Sequence, residues 1–322
     1  MTWMVAAAVG AAFAGPGVAA TETLTLESVN APDLVTLVTS QSKGTAVLRA
    51  QILLDRARFS PGEIDAAYGS NMQRAIVGFQ ASNGIEASGS VDAATWAALD
   101  RDAAPAIVAY TLTPEDVAGP FNPMPSDMME KSKLPALGYA SAVESLAEKF
   151  HSSPALLKQL NPGKDFTRSG EQIIAPSVES STPMPAVAKL VVDKSDFTVT
   201  LLDAADKVVA QYPASTGSEH DPLPVGVWKI QGVSSNPTFN YNPDLFWDAN
   251  PAHSKATIPA GPNNPVGVVW VDLSKEHYGI HGTPEPSKIG KTESHGCIRM
   301  TNWSALAMSA AVKPGMPAVL QE

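Results

Sequence analysis

The sequence has a single cysteine in 322 residues, Cys297. That excludes an intrachain disulfide, so no covalent staple can hold the fold. Runs of Lys or Arg are also missing, and the formal net charge is -10. Such a chain lacks the basic footprint of a nucleic-acid binder. It equally lacks a polybasic contact for an anionic membrane. The first twenty residues contain no Lys or Arg, so the positive start of an export signal is absent there. What that stretch does have is a run of small apolar residues ending in Val18-Ala19-Ala20, a small-residue cleavage site. It is short for a membrane span, and Gly and Pro interrupt it. Residues 1–20 are therefore expected to be a signal peptide, with an apolar N-terminal helix as the alternative reading. The expected location is the periplasm or cell surface. A lone thiol in an exported protein needs a reason, and catalysis is one.

What surrounds that thiol is the densest chemistry in the chain. His281-Gly282-Thr283 is followed by Ser294-His295-Gly296-Cys297-Ile298-Arg299-Met300. A thiol becomes a strong nucleophile when a base removes its proton, and histidine suits that task near neutral pH. The glycines permit a tight turn whose backbone N–H groups can face a developing oxyanion. A cysteine near a histidine is weak alone; a small buried thiol beside ordinary histidines is the plain alternative. The full string resembles the active-site motif of the L,D-transpeptidases with a YkuD-type catalytic domain.

The remainder of the chain divides into modules. From Lys43 to Leu99, Val47, Leu48, Ile52, Leu53 and Leu54 recur at helical spacing. Ser60-Pro61-Gly62 breaks this helix, and Gly69-Ser70-Asn71 opens a second through Met72, Ile76 and Phe79. Asp92 can cap a third, through Trp96 and Leu99. Residues 43–101 resemble the PG_binding_1 type of peptidoglycan-binding domain at Leu48, Gln51, Gly62, Asp65, Tyr68, Gly69, Phe79, Gln80 and Asp92 among others. The family has Gly after the Asp of its Ile-Asp-Gly segment, and this chain has Ala66.

Residues 108–178 read as strand, helix, helix, strand: Tyr110-Thr111-Leu112-Thr113, then Val143 to Phe150, then Leu156 to Leu160, then Ile173-Ile174-Ala175-Pro176. Asn161-Pro162-Gly163 stops the second helix. This order resembles a LysM module with a long Pro-rich insertion after its first strand; a structural spacer is the alternative. Residues 179–186 form a Ser/Pro/Thr linker.

Beyond the linker the period changes to two. Leu190 to Asp193, Phe197 to Leu202, Lys207 to Tyr212, Gly226 to Ile230, Gly267 to Leu273 and Tyr278 to Gly282 read as strands. Trp303 to Val312 reads as a helix, stopped by Lys313-Pro314-Gly315, with a closing strand at Pro317. Leu223-Pro224-Val225-Gly226 matches the Thr-Pro-x-Gly of the YkuD-type domain with Leu for Thr, so the resemblance extends over about Ala186 to Leu320. The expected architecture is multidomain: a small all-α peptidoglycan-binding domain, a small α+β LysM-like module, and a mainly β, YkuD-type β-sandwich catalytic domain over residues 187–321 with a C-terminal helix.

The resemblance implies a mechanism and a site. Cys297 would be the nucleophile and His281 the general base. The Gly282 carbonyl would orient the imidazole, and the N–H groups of His295, Gly296 and Cys297 would form the oxyanion hole. Cys297 would attack the carbonyl between an L-centre and a terminal D-amino acid of a peptidoglycan stem. A neighbouring stem's amine would then resolve the thioester and form a cross-link. Ser294, Thr283, Arg299, Tyr241 and Trp247 are the candidate substrate contacts. Arg299, two residues beyond Cys297, lies on the same side of an extended chain and could hold a carboxylate; a structural ion pair is its alternative. Tyr241 and Trp247 sit in an irregular stretch, Asn236 to Pro265, read either as a flap or as a satellite core. No cofactor and no metal are expected. The expected partners are stem peptides and glycan strands, with covalent capture by carbapenems. Rival readings are a zinc hydrolase using His277, His281, His295 and Cys297, a purely wall-binding protein, and the same thioester resolved by water (L,D-carboxypeptidase) or by a protein amine (anchoring).

Overall fold

The computed structural model describes residues 23–322; the stretch read as a signal peptide lies outside them. Among the described residues no helix is long and apolar enough to cross a membrane.

The first module holds three helices: α1 (Thr45–Arg56), α2 (Ser70–Ser82) and α3 (Ala93–Leu99). Asp92 caps α3 by accepting from the Thr95 N–H at 2.8 Å. Val47, Leu54, Met72, Ile76, Phe79 and Trp96 share one core. Ala66, standing where the family has glycine, adopts a left-handed φ of 61°. Buried Gln51 secures that turn, accepting from the Ala66 N–H at 2.8 Å.

The second module runs β1 (Ile107–Thr111), α4 (Ala142–Lys149), α5 (Pro154–Leu160) and β2 (Gln172–Pro176). The two strands pair antiparallel, with Ile107 opposite Pro176. Ser141 and Ser153 cap the helices, and Pro154 occupies the first turn of α5, where its missing N–H costs nothing.

The third module is built on β3 (Lys189–Asp193), β4 (Thr198–Leu202), β5 (Val208–Pro213), β6 (Gly226–Ser235), β7 (Phe239–Tyr241), β8 (Ala256–Ile258), β9 (Val269–Leu273), β10 (Gly279–His281), β11 (Ile298–Arg299), helix α6 (Asn302–Ala311) and β12 (Pro317–Gln321). Eight of the strands form one sheet in the order β11-β10-β9-β6-β12-β3-β4-β5. The expected sandwich is thus one curled sheet. Strand β6 explains the curl. Its first half pairs with β12 and its second with β9, and the register shifts between Ile230 and Gly232. A bulge of this kind bends and twists a strand. The chain after β5 then returns to the opposite edge, where Ser215 and Arg299 exchange N–H···O bonds at 2.9 Å each. Leu190, Val199, Val271, Ile280, Ile298, Met300 and Met308 fill the space enclosed by the sheet and α6. Fully burying each such side chain is worth about 1.5–3 kcal/mol.

The modules are tied together by polar contacts. Ser60 N–H donates to Gln211 O at 2.9 Å, and Ile64 N–H to His151 O at 2.9 Å. Asn71, only 7% exposed, donates from Nδ2 to Ile289 O at 2.8 Å on the loop leading to Cys297. Asn71→Ala leaves that buried carbonyl unpaired and is expected to cost about 1–3 kcal/mol. Denaturant unfolding measures this; an unchanged midpoint would show that the contact carries no stability.

Candidate active site

Alternation along two short strands assembles the site. β10 and β11 run parallel, with Ile280 opposite Ile298 and His281 opposite Arg299. Both isoleucines are fully buried and point into the core. Their neighbours therefore face the other way: Gly279 and His281 on β10, Arg299 on β11, and Cys297 just before it. The Met300 N–H donates to His281 O at 2.8 Å and extends this register. On the other side of β10, His281 lies opposite Trp270 of β9. One rung of the sheet thus carries Trp270, His281, Arg299 and Ser215 side by side.

His281 is 5% exposed, and its ring stacks on Trp270 with centroids 5.5 Å apart. Nδ1 lies 2.7 Å from the Gly282 carbonyl oxygen. A carbonyl only accepts, so Nδ1 carries the proton and Nε2 presents a lone pair. Burial drives the imidazole pKa down to about 4; the Gly282 carbonyl opposes this, and the Arg299 charge adds to it. Histidine at this position is therefore neutral across the physiological range.

Cys297 is half-buried. Burial pushes its thiol above the usual range, while the Gly279 N–H and the Arg299 charge pull it partly back. As a donor, Sγ points to His277 O at 3.7 Å. The resting pair is thus thiol and imidazole, uncharged, with no bond between them. Gly296 precedes the cysteine at φ 93°, and a Cβ there would meet the Tyr278 ring. The turn requires glycine on both counts. Among the described residues, the N–H groups of His295, Gly296 and Cys297 have no acceptor. Three adjacent free donors beside a thiol can receive a developing oxyanion.

The other candidate contacts divide. Ser294 is buried and donates from Oγ to Cys297 O at 2.6 Å, closing the turn. Thr283 is buried and accepts from the Glu285 N–H at 3.2 Å. Both shape the backbone. Arg299 donates from Nη2 to Thr292 Oγ1 at 3.1 Å and to the Glu293 carbonyl, while its buried Nε has no partner among the described residues. Tyr241 and Trp247 lie in a flap made by the β7–β8 hairpin and the turn between its strands. Tyr241 is buried against Leu137 and Ile258, in the satellite core. Trp247 is 64% exposed and stacks on His220 at 4.5 Å. The flap reaches the site through His295, whose Nε2 lies 2.9 Å from Asp248 Oδ1 and whose ring meets Phe246 edge-on at 5.2 Å.

Trp270, Tyr278 and Asp248 surround the site without having been singled out in the sequence. For Trp270 a clue was available. It alternates with Val269 and Val271 on its strand, so it faces away from the core that they fill. Asp248 carries no local pattern.

The chain matches the L,D-transpeptidase catalytic-domain family over residues 188–320 and the peptidoglycan binding domain family over residues 43–99. YkuD of Bacillus licheniformis, which bears the provisional name of an L,D-transpeptidase, is 31% identical over 54% of this chain and 89% of its own length. YbiS of Escherichia coli, also provisionally named an L,D-transpeptidase, is 24% identical over 62% of this chain and 67% of its own. A solved L,D-transpeptidase from Xylanimonas cellulosilytica aligns over 88% of this chain and 97% of its own, at 15% identity and a TM-score of 0.37. The chain belongs to the L,D-transpeptidase family and carries a peptidoglycan-binding domain ahead of its catalytic domain.

Proposed function

We propose that this protein cross-links peptidoglycan through a thioester on Cys297. The observation that carries the reading is the shared face of β10 and β11. His281 and Cys297 fall on that face, the unpaired N–H groups of residues 295–297 lie in the turn that ends at this cysteine, and the Nδ1 bond to Gly282 O leaves Nε2 as the basic nitrogen. Rotation of the Cys297 side chain away from His277 O presents Sγ to the imidazole. His281 takes the thiol proton as Sγ attacks the carbonyl preceding the terminal D-amino acid. The N–H groups at 295–297 receive the negative oxygen. When the tetrahedral species collapses, the C–N bond breaks, and the imidazolium returns its proton to the departing amine. The thioester retains the acyl group, so no nucleotide is needed. The amine of a second stem then attacks, His281 takes its proton, and the regenerated thiolate recovers it.

Arg299 supports the donor end. Its buried Nε lacks a partner, and a stem carboxylate would satisfy it. Trp247 on the flap provides an exposed apolar wall for the stem. Tyr241 supports that flap from beneath. The middle module keeps the strand–helix–helix–strand order of LysM, and glycan binding is its role in this scheme. The whole belongs at the cell wall, after export.

Purified enzyme given tetrapeptide muropeptides, with products separated by mass, tests the reading. Cross-linked dimers are expected. Tripeptides alone would reassign the enzyme as an L,D-carboxypeptidase, and no product would leave a wall-binding protein.

A further inference from the structure

Asn302 opens helix α6 and is fully buried. It does not cap the helix, because Thr301 does so by accepting from the Ser304 N–H at 3.3 Å. A buried amide must find partners elsewhere. Its Oδ1 accepts from the Val268 N–H at 3.2 Å, and its Nδ2 donates to Pro262 O at 3.2 Å. Oδ1 also fills the place where a Cβ on Gly282, or one on Gly267, would stand. One side chain therefore backs two glycines. Gly282 is the residue whose carbonyl faces His281 Nδ1 at 2.7 Å, and its own N–H donates to Val269 O at 3.2 Å. The residue whose carbonyl orients the imidazole is thus held through its N–H by a strand bond and backed at its Cα by Asn302.

The support continues into the middle module. Helix α4 packs against α6, and there Glu148 faces the Asn302 amide and the Tyr139 hydroxyl, which counter the rise in its pKa that burial and Glu144 impose. One helical turn earlier on α4, Glu144 accepts from Asn263 Nδ2 at 2.8 Å. The Asn263 N–H donates to Leu137 O at 3.0 Å, and the Leu137 N–H to Ala260 O at 2.9 Å. The loop 259–267 is thus tied to the middle module at one end. At the other, Gly267 packs on Asn302 and Gly282.

We propose that Asn302 is a positioning residue for His281, acting through the Gly282 carbonyl, and that Glu148 of the middle module sets Asn302 in turn. The middle module then forms the rear support of the catalytic histidine as well as a tether. The inference rests on His281 being the base. Asn302 touches no substrate; it keeps the carbonyl on Nδ1, which leaves the proton on Nδ1 and the lone pair on Nε2.

The test uses the full chain. Its first readout is the ring tautomer of His281, read by long-range proton–nitrogen NMR without substrate. Its second is kcat and KM on a tetrapeptide donor. Wild type is expected to show the Nδ1–H form. Asn302→Ala is expected to mix the tautomers and to lower kcat about 10- to 100-fold while KM changes less than about twofold. Asn302→Asp alone sets two carboxylates together and should be at least as damaging. Adding Glu148→Gln to it removes the carboxylate–carboxylate contact but still leaves Pro262 O without its donor, so it should recover only part of the Nδ1–H form and of kcat. A folded Asn302→Ala protein with the wild-type tautomer and kcat would overturn the proposal. Should that variant not fold, a folded Asn302→Asp protein with the wild-type tautomer and kcat would overturn it. Full activity in His281→Ala would instead sink the base assignment, whatever the tautomer shows.

Discussion

Cys297→Ala is expected to abolish both cross-linking and covalent capture by a carbapenem. No second thiol exists in the chain to take over. Loss of the nucleophile in covalent catalysts typically costs about 10⁴-fold or more, leaving only what binding and the oxyanion donors supply. Cys297→Ser should not rescue. A hydroxyl is far harder to deprotonate than a thiol, and the base facing it has a pKa of only about 4. The two effects compound, so the serine variant is expected below about one-thousandth of wild type. Intact-protein mass after carbapenem exposure reads the first claim and muropeptide products read the second. An adduct that persists on the alanine variant would move the nucleophile elsewhere and dismiss the thioester.

The sheet strands were legible because their apolar residues alternate at period two, and the helices because theirs recur at period 3.6. Ile280 and Ile298 illustrate the gain. Each flanks a chemical residue by one position, so burying both isoleucines turns His281, Arg299 and Cys297 to one face. The curl of the sheet was not legible. It depends on β6 changing partner halfway, at the bulge Ile230-Gln231-Gly232, where the strand read from the sequence ends but the real one continues to Ser235. The long insertion of the middle module was equally opaque. Its Met124, Met128, Met129 and Leu137 pack under the flap on Tyr241 and Ile258. Asp127 within it lies 2.9 Å from His253 Nε2, while His253 Nδ1 meets the Tyr241 hydroxyl at 2.9 Å. Asp127 and His253 are 126 residues apart, and local periodicity carries no information about such pairs. For the same reason Tyr241 and Trp247, read alike in the sequence, divide in the structure into a support beneath the flap and an exposed ring upon it.

The pH dependence separates this site from one that rests as a thiolate–imidazolium pair. Burial holds His281 neutral down to about pH 4 and holds the Cys297 thiol protonated beyond its usual range. The acylation rate, kcat/KM, is therefore expected to stay level from about pH 5.5 to 8 and to fall only as His281 protonates near 4, not near the ordinary imidazole value of about 6.5. His281→Gln should remove that limb and lower the plateau about 10²- to 10⁴-fold. Stability must follow the same group. The folded pKa lies below the unfolded one, so the unfolded chain binds the proton first. The stabilising contribution of neutral His281 is present above about pH 6.5 and is lost as pH falls toward 4. With the ring 5% exposed, solvent screens little of this, and the loss amounts to about 3 kcal/mol between those limits. Unfolding measured at pH 7 and pH 4 should show wild type losing that much more than His281→Gln. An acid limb near 6.5, with equal acid destabilisation of the two proteins, would mean that the imidazole is solvated and already charged when the thiol reacts. The neutral-pair mechanism would then be wrong even if Cys297 remained the nucleophile.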